Sequence, residues 1–250
     1  MKVAIRADAS INIGTGHIMR CLTLADSLKK NGADIHFFCR PHKGNMKSFI
    51  KSKDYPVSLL NPPQEVNTSD KYIKLLGCSQ LQDSNQFINI LEEKFDLIIV
   101  DNYGIGDVWL DEVKPYCDMI MVIDDLGEMP FKCDILLNQN LGTAKNKYQN
   151  NFLKSSNILV GNKYTLLRDE FHEWREYSLN RRISPSLNNI LINLGGSDPQ
   201  NITSNIVNIM EKSNLSSKIS LTIILGEASI HISKLKKSIK KSKFSVDIKV

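Results

Sequence analysis

The feature that most constrains the fold of this chain is a series of short apolar runs, several of which end on carboxylates. Three of them are Lys2–Asp8, Phe95–Asp101 and Cys117–Asp125. Their apolar residues are continuous rather than alternating, which is typical of strands that are buried on both faces. Helical patterns separate the runs. The sequence therefore predicts an α/β fold in which helices cover a parallel sheet on both sides.

Further strand and helix patterns extend this alternation along the chain. A helix is predicted from about His17 to Lys30, with Ile18, Leu22 and Ala25 on one face. The other predicted strands are Asp34–Cys39, Pro56–Leu60, Asp134–Asn138, Asn157–Gly161, Asn189–Leu194, Ser220–Leu225 and Phe244–Val250. The other predicted helices lie at Ser84–Lys94, around Leu167, Phe171 and Trp174, after Pro199, and near Ile230–Lys241.

The length of the chain and its strand series suggest two domains. With 250 residues it is long enough for one large domain or two small ones. Tyr177–Asn188, which contains Pro185, is the best linker candidate. We therefore expect an N-terminal lobe at residues 1–180 and a C-terminal lobe at residues 181–250. Because the second part contains only three strands, we expect that lobe to be incomplete.

Composition excludes several classes of protein. Hydrophobic residues make up 42% of the chain and charged residues 24%, as in ordinary globular proteins. No apolar run approaches the ~20 residues of a membrane span. The five cysteines form no CxxC motif, which argues against a disulfide framework or a zinc site and favours a cytoplasmic protein.

The net charge of +5 is concentrated near the C-terminal end. Residues 231–250 contain seven lysines against one acid, Asp247. A nucleic-acid surface requires basic residues spread along a face or groove, whereas this cluster is typical of one solvated helix face. We therefore expect no nucleic-acid partner, and we expect a monomer.

Polar residues follow the predicted strands at their carboxyl ends, where parallel sheets bind ligands. They are Asp8, Asp101, Tyr103, Asp124 and Asp125. Each aspartate has the alternative of a helix cap or turn former. We take Asp8 as a candidate substrate-binding residue.

A glycine-containing turn connects the first strand to the first helix. Gly14, Thr15 and Gly16 allow a sharp turn and a close approach of a ligand to the backbone, so all three are candidate substrate-binding residues. A dinucleotide fingerprint requires a further glycine where Met19 stands and an acid where Arg40 follows the second strand. The NAD interpretation is therefore weak. No Gly-Lys-Ser/Thr follows, which excludes a P-loop.

His17 stands at the start of the helix after this turn. The helix dipole disfavours the protonated imidazolium there, so the ring is expected to stay neutral and basic. A neutral imidazole can act as a general base. The alternative is a histidine that only caps the helix.

The remaining histidines do not indicate a metal site. His172 lies in HEWRE, which differs from the zinc motif HExxH because Glu176 occupies the last position. We therefore expect no metal.

A second glycine turn follows the strand that begins the C-terminal lobe. Gly195, Gly196, Ser197 and Asp198 precede Pro199, which we expect at the first helical position. Free backbone N–H groups at such a helix N-terminus suit a diphosphate. The alternative is a well-formed turn without a ligand. Two such turns, one in each lobe, suggest two Rossmann-like lobes facing across a cleft, as in GT-B nucleotide-sugar enzymes.

Six segments carry a resemblance to a known family. They are RADASINIGTGHIMRCLTLA, VDNYGI, VIDDL, CDILLNQN, GNKYTLLRDEF and NLGGSDPQN. In order and spacing they resemble the UDP-2,4-diacetamido-2,4,6-trideoxy-β-L-altropyranose hydrolases of pseudaminic acid biosynthesis, which are close in fold to MurG-type glycosyltransferases. The resemblance covers nearly the whole chain. Its most specific motif is GxGHxxRxxxLA, here Gly14 to Ala25.

The resemblance implies that water cleaves the anomeric C–O bond with inversion and releases UDP, without a metal or other cofactor. His17 matches the catalytic base of the family, and Gly195–Asp198 match its UDP-contacting loop. Tyr103 and Asn138 match positions near the sugar, and Arg20 is either a cleft residue or structural. Family members continue with elements that contact the uridine, which implies an incomplete C-terminal lobe here.

Two other functions stay open at this point. A GT-B glycosyltransferase with a UDP-sugar donor needs the same base and the same diphosphate site, but also an acceptor pocket. A truncated, non-catalytic lobe that only binds a nucleotide sugar also stays open, because the C-terminal part of the chain is short. Release of UDP in the absence of any acceptor would separate hydrolysis from both.

Overall fold

The computed structural model describes residues 1–127, 131–143, 148, 156–183, 186–195, 198–226 and 229–250. The described chain divides into two compact units, Met1–Arg168 and Asp169–Val250. The predicted linker Tyr177–Asn188 is wrong over its first part, because Arg175–Arg181 forms a helix. The sequence of that helix, REYSLNR, contains neither glycine nor proline, and nothing in it interrupts a helix.

The first unit alternates strands and helices from its first residues. The strands are β1 (Lys2–Ala7), β2 (Asp34–Cys39), β3 (Val57–Leu59), β4 (Phe95–Asp101), β5 (Cys117–Ile123), β6 (Ile135–Asn138) and β7 (Asn157–Val160). The helices are α1 (Gly16–Lys30), α2 (Lys47–Ser52), α3 (Lys71–Leu76), α4 (Gln80–Asn89) and α5 (Asp107–Val113). Short 3₁₀ turns follow at Lys114–Tyr116 and Asn162–Tyr164.

The seven strands form one parallel sheet in the order β3-β2-β1-β4-β5-β6-β7. The prediction of a parallel α/β sheet is confirmed, and the sheet is Rossmann-like in its strand order. The order reverses direction between β1 and β4. In such sheets ligands bind outside the carboxyl ends of the strands at this switch point.

Both faces of this sheet are covered, as the continuous apolar runs require. On one face Val3, Ile5 and Ala7 of β1 pack with the apolar side of α1. On the other face Ala4 belongs to a core that includes Phe87 of α4 and Trp109 of α5. Successive residues of a strand therefore enter opposite cores.

The second unit contains a smaller parallel sheet of three strands. Its elements are α6 (Asp169–Glu173), α7 (Arg175–Arg181), β8 (Asn189–Asn193), α8 (Ile202–Lys212), β9 (Ser220–Ile224), α9 (Ile232–Ser238) and β10 (Ser245–Lys249). The strand order is β10-β9-β8. Ile192, Leu221, Ile223 and Leu235 are among the residues of its core.

In the parts of the chain that the structure describes, no helix has both the length and the apolar composition needed to cross a bilayer.

Candidate active site

The turn between β1 and α1 is open and depends on glycine at one position. Gly14 has a φ of +83°, a conformation that other residues rarely adopt. Its N–H donates to the carbonyl of Ser10 at 2.8 Å. Neither Gly14 nor Gly16 has a heavy atom within 4 Å of a Cβ built on it, and Thr15 and Gly16 are exposed. The backbone at this edge of the sheet is therefore accessible, as the sequence predicts.

His17 is the second residue of α1, and its ring is buried against the end of β4. The Nδ1 atom lies 2.5 Å from Oδ1 of Asp101, the last residue of β4. The ring is engaged with this carboxylate, not with the backbone at the start of α1. The two residues are 84 positions apart in the chain, and the switch point between β1 and β4 brings them together.

Asp101 is fully buried and also binds Arg20, one turn further along α1. Arg20 donates from Nε to Oδ2 and from Nη2 to Oδ1, each at 2.6 Å. Burial disfavours the charged carboxylate, but the hydrogen bonds from Arg20 and His17 outweigh it and lower the pKa of Asp101 to about 2. Asp101 is therefore ionised at neutral pH.

An ionised Asp101 determines which ring nitrogen of His17 carries the proton. The nitrogen that faces a carboxylate is the protonated one, so Nδ1 donates to Asp101. In the neutral ring Nε2 then holds the lone pair. Within the described residues, Nε2 has no hydrogen-bond partner. This arrangement can accept a proton from a bound water, because an oriented neutral imidazole is a general base.

Tyr103 and Asp125 complete a closed network with Arg20. The Tyr103 hydroxyl donates to Oδ2 of Asp125 at 2.8 Å, and Nη1 of Arg20 donates to the same oxygen at 2.6 Å. The Tyr103 ring meets the His17 ring edge-on, with the centroids 4.7 Å apart. Burial and the hydrogen bond to Asp125 raise the pKa of the Tyr103 hydroxyl. Arg20 thus holds both carboxylates that position His17 and Tyr103.

A cavity of about 250 Å³ opens at these residues. His17, Asp101 and Tyr103 line it, together with Asp8 and Asn102. Its other lining residues are Asn12, Ile13, Lys71, Tyr72, Leu75 and Gly104. The volume of the cavity is close to that of small-molecule sites, which typically carry a small number of convergent polar groups. The structure therefore brings three of the predicted site residues, His17, Asp8 and Tyr103, together around one cavity.

Asp8 is nearly fully buried and is bonded from three sides. Its Oδ1 accepts from Nη1 of Arg6 at 2.7 Å and from the Arg40 N–H at 2.6 Å. Its Oδ2 accepts from the Asn102 amide at 2.9 Å. In this structure the carboxylate organises the floor of the cavity and the Asn102 side chain beside it.

A buried ion network continues below Asp8. Arg6 and Arg40 both donate to Asp83 of α4, at 2.7 and 2.6 Å from their Nη2 atoms. The Trp109 indole N–H donates to the same carboxylate at 2.9 Å. Two buried cations therefore face the buried carboxylates of Asp83 and Asp8, and Arg6 occupies a position of β1 on the core face between its apolar neighbours.

Asn138 lies elsewhere on the sheet edge and is fully buried. Its Nδ2 donates to the Tyr148 hydroxyl at 2.5 Å, and its Oδ1 accepts from the Asn140 N–H at 3.0 Å. The Tyr148 hydroxyl in turn donates to Asp124 at 2.9 Å. Asn138 is not among the residues that line the His17 cavity.

The glycine turn of the second unit is described only in part. Gly196 and Ser197 lie outside the described residues, and Gly195 has a φ of +86°. The Asp198 carboxylate accepts from the N–H groups of Ile202 and Thr203, both at 2.9 Å. Burial disfavours its charge, but these hydrogen bonds outweigh it and lower the pKa of Asp198. Asp198 itself therefore occupies two of the N–H groups expected to be free for a diphosphate.

The expected position of Pro199 is wrong. Helix α8 begins at Ile202, with Asn201 as its N-cap, so Pro199 lies in the turn before it. Asn201 has a φ of +54°. The turn reaches the helix through this left-handed residue, and the proline fixes the chain two residues earlier.

Sequence reasoning missed Lys71, Tyr72 and Asn102. Asn102 directly follows Asp101, so its place at a strand end was visible in the sequence. Lys71 and Tyr72 belong to α3, which has only six residues and no long apolar period. Its signal was Asp70, whose side chain accepts from the N–H groups of Tyr72 and Ile73 as a helix cap.

The polar groups at this site suit acid–base chemistry rather than cation binding. In the described ranges, which omit residues 128–130 and 144–147 among others, no three histidine, cysteine, aspartate or glutamate side chains form a metal-binding group. Asp101 is already bonded to an arginine and a histidine. The fold and site together define an α/β protein with a Rossmann-like sheet and an Asp–His pair at its switch point.

Comparisons with known proteins give three relatives. The chain is 29% identical over 240 residues to the UDP-2,4-diacetamido-2,4,6-trideoxy-β-L-altropyranose hydrolase of Campylobacter jejuni. The aligned region covers 95% of this chain and 74% of that protein. It is 28% identical over 254 residues to an uncharacterized protein of Methanocaldococcus jannaschii, covering 100% of this chain and 48% of that protein. It is 25% identical over 246 residues to the spore coat polysaccharide biosynthesis protein SpsG of Bacillus subtilis, covering 96% and 64%.

No family model matches the chain. It spans about half the length of the archaeal relative and between 64% and 74% of the two bacterial ones.

Proposed function

We propose that this protein hydrolyses a UDP-linked diacetamido-trideoxy sugar at the anomeric C–O bond, with inversion, and releases UDP and the free sugar. The free sugar would serve pseudaminic acid or related nonulosonate biosynthesis. The observation that carries the proposal is the Asp101–His17 pair, which leaves Nε2 of His17 as a base in a cavity of small-molecule size. The similarity to the hydrolase of Campylobacter jejuni supports the substrate class.

In this mechanism Nε2 of His17 takes a proton from a water molecule as the water oxygen bonds to the anomeric carbon. The bond from that carbon to the diphosphate oxygen breaks, and its electron pair leaves with UDP. The diphosphate is a good leaving group, because a terminal phosphate has a second pKa of ~6 and needs no strong general acid. Inversion follows because the water attacks from the face opposite the departing phosphate.

Asp101 stabilises the imidazolium that forms when His17 is protonated. It already accepts the Nδ1 proton, so the ring keeps its orientation throughout the transfer. Arg20 keeps Asp101 ionised and fixed. Both are positioning residues, since they act on the reaction through His17.

The UDP site belongs to the same proposal. Gly195, Gly196, Ser197 and Asp198 would contact the diphosphate in a second lobe, and the two-lobed GT-B arrangement is part of this hypothesis. The capping role of Asp198 means that the remaining N–H groups of that turn would hold the phosphates.

The test is UDP release from His17→Asn in the absence of any acceptor. A positioned general base contributes ~10²–10⁴ in rate, so kcat should fall by that factor while binding of the UDP-sugar persists. His172→Asn is the matched control, because His172 is exposed and lies in α6. Retention of more than about a tenth of the wild-type kcat in His17→Asn would leave the mechanism without its base.

A glycosyltransferase of the same fold remains the second candidate, because the spore coat polysaccharide relative is named for biosynthesis rather than hydrolysis. Such an enzyme releases UDP only slowly without its acceptor. Multiple turnovers in buffer containing only the UDP-sugar would therefore exclude it.

A further inference from the structure

A second cavity, of about 360 Å³, adjoins the one that contains His17. Four residues line both: Lys71, Tyr72, Asn102 and Tyr103. The Tyr72 and Tyr103 rings contact each other, with their centroids 5.5 Å apart. A ligand whose reacting atom lies beside His17 can therefore extend past this tyrosine pair into the second cavity.

One wall of the second cavity is apolar. Val122 contributes it from the carboxyl end of β5, and Phe131, which belongs to the same core as Val122, continues it together with Leu126. Val122 is 4% exposed and Phe131 is 8% exposed. This wall would bury an alkyl group of a ligand.

The polar groups on the remaining walls are mostly engaged within the protein. Asp124 accepts from the N–H groups of Leu126 and Gly127, at 3.0 and 2.7 Å. Asn102 is bonded to Asp8 and to the Gly104 N–H. These groups fix the shape of the cavity and leave little hydrogen-bonding capacity for a ligand.

Two donors on α3 differ from this pattern. Neither Nζ of Lys71 nor the hydroxyl of Tyr72 has a hydrogen-bond or ion-pair partner in the described parts of the chain. Lys71 Nζ lies 4.6 Å from the centroid of the Tyr72 ring. An apolar wall opposite two unengaged donors fits a group with a methyl end and a carbonyl acceptor, which is the chemistry of an acetamido substituent.

We propose that the second cavity is the subsite for one acetamido group of the sugar, and that Lys71 and Tyr72 determine specificity for it. The methyl group lies against Val122 and Phe131, and the carbonyl oxygen accepts from Lys71 or Tyr72. This inference rests on the proposed function, since it assigns a subsite of the same substrate.

The experiment compares three substrates in a UDP-release assay. One is the UDP-diacetamido-trideoxy-altropyranose, and the other two carry a free amine in place of one acetamido group, at C2 or at C4. Wild-type protein is expected to prefer the diacetamido sugar over one of these analogues by about tenfold or more in kcat/KM. The analogue that is disfavoured identifies which acetamido group occupies the second cavity.

Variants of α3 then test the residues. Tyr72→Ala and Lys71→Met should each reduce this preference at least fourfold. Burial of one methyl group corresponds to a factor of about four, and a hydrogen bond from a charged donor corresponds to a larger factor. The change should lie mainly in KM, because the acetamido group is bound equally in the ground and transition states. Tyr72→Phe keeps the ring and removes only the hydroxyl, so it serves if Tyr72→Ala does not fold. Lys74→Met, an exposed lysine of the same helix outside both cavities, is the control.

The outcomes separate the two hypotheses. Turnover of the diacetamido sugar with an unchanged preference in Tyr72→Phe and Lys71→Met would overturn the subsite and leave the proposed function intact. Absence of UDP release from all three substrates by wild-type protein would overturn the proposed function and the subsite with it.

Discussion

Replacement of Arg20 by methionine should destabilise the first unit by about 3–5 kcal/mol, the cost of removing one partner from a buried ion pair. Arg20 is 12% exposed in its side chain, and Asp101 is fully buried. The change keeps most of the side-chain volume but leaves Asp101 with His17 and the Cys21 thiol, neither of which carries a fixed positive charge, and leaves Asp125 without its cation. Because domains have total stabilities of about 5–15 kcal/mol, this loss is large.

Urea unfolding followed by tryptophan fluorescence can measure this loss in the first unit alone. The chain has two tryptophans: Trp109 is fully buried in the first unit, and Trp174 is 62% exposed in the second. A Trp174→Phe background therefore reports the first unit only. Lys51→Met, which removes an exposed cation of α2 in the first unit, is the control and should change stability by less than about 0.5 kcal/mol.

A double-mutant cycle with Asp101→Asn tests whether the cost comes from the unpaired carboxylate. Neutralising Asp101 in the Arg20→Met background should restore part of the lost stability, with a coupling energy above about 1 kcal/mol. A loss under about 1 kcal/mol in Arg20→Met, or strict additivity of the two changes, would refute the assignment of Arg20 as the counterion.

The difference in stability between wild type and Arg20→Met should depend on pH in a definite direction. The pKa of Asp101 is depressed to about 2 in the folded protein. Its contribution to stability is therefore present above the unfolded pKa of ~4 and is lost as the pH falls toward 2. Arg20→Met raises this pKa, so the stability gap between wild type and variant should be full at pH 7 and narrower below about pH 4.

Other described contacts allow two further substitutions and one labelling experiment to be predicted. Asp83→Ala leaves Arg6 and Arg40 buried without their shared carboxylate, and should cost about 3–5 kcal/mol in the same urea assay; a loss typical of a surface site would contradict the network. Asp198→Ala removes the carboxylate that accepts from the first two N–H groups of α8 and should cost the second unit about 1 kcal/mol, seen by circular dichroism on heating; an unchanged melting curve would argue against a stabilising role of these two hydrogen bonds. All five cysteines are buried, and burial raises the pKa of Cys39 to about 12, so a thiol reagent at pH 8 should label them only after denaturation; rapid labelling of the folded protein would contradict their burial.

Much of the fold was predictable because its main signal is local. The runs Phe95–Asp101 and Cys117–Asp125 are continuous and apolar, and the observed strands, Phe95–Asp101 and Cys117–Ile123, match or nearly match them. Helix α3 was not predicted, because six residues are too few for a clear apolar period. Helices α2 and α5 were missed for the same reason, with six and seven residues.

The candidate site was predictable as a set of residues but not as a set of contacts. His17, Asp101 and Asp125 were expected at one sheet edge from their places after strands. The pairing of His17 with Asp101 and the position of Arg20 between two carboxylates depend on which strand lies next to β1, and strand order is not written in any local pattern. The same holds for Lys71 and Tyr72, which reach the site from a connection between β3 and α4.

The ion network of Arg6, Asp83 and Arg40 also restricts how this sequence can diverge. A single substitution at any of the three leaves a buried charge without one of its partners, which is strongly destabilising. Most variants with only one of these changes are therefore expected to fold poorly. Apolar replacements of all three together can be tolerated or even stabilising in comparable settings. Such a triple change would leave the buried Asp8 carboxylate without the guanidinium of Arg6 and would loosen Asn102 beside it, so Asp8 would have to be replaced as well. Lineages that still use the cavity are therefore expected to retain the three residues as a block, and lineages that have lost its use are expected to replace them only together with Asp8.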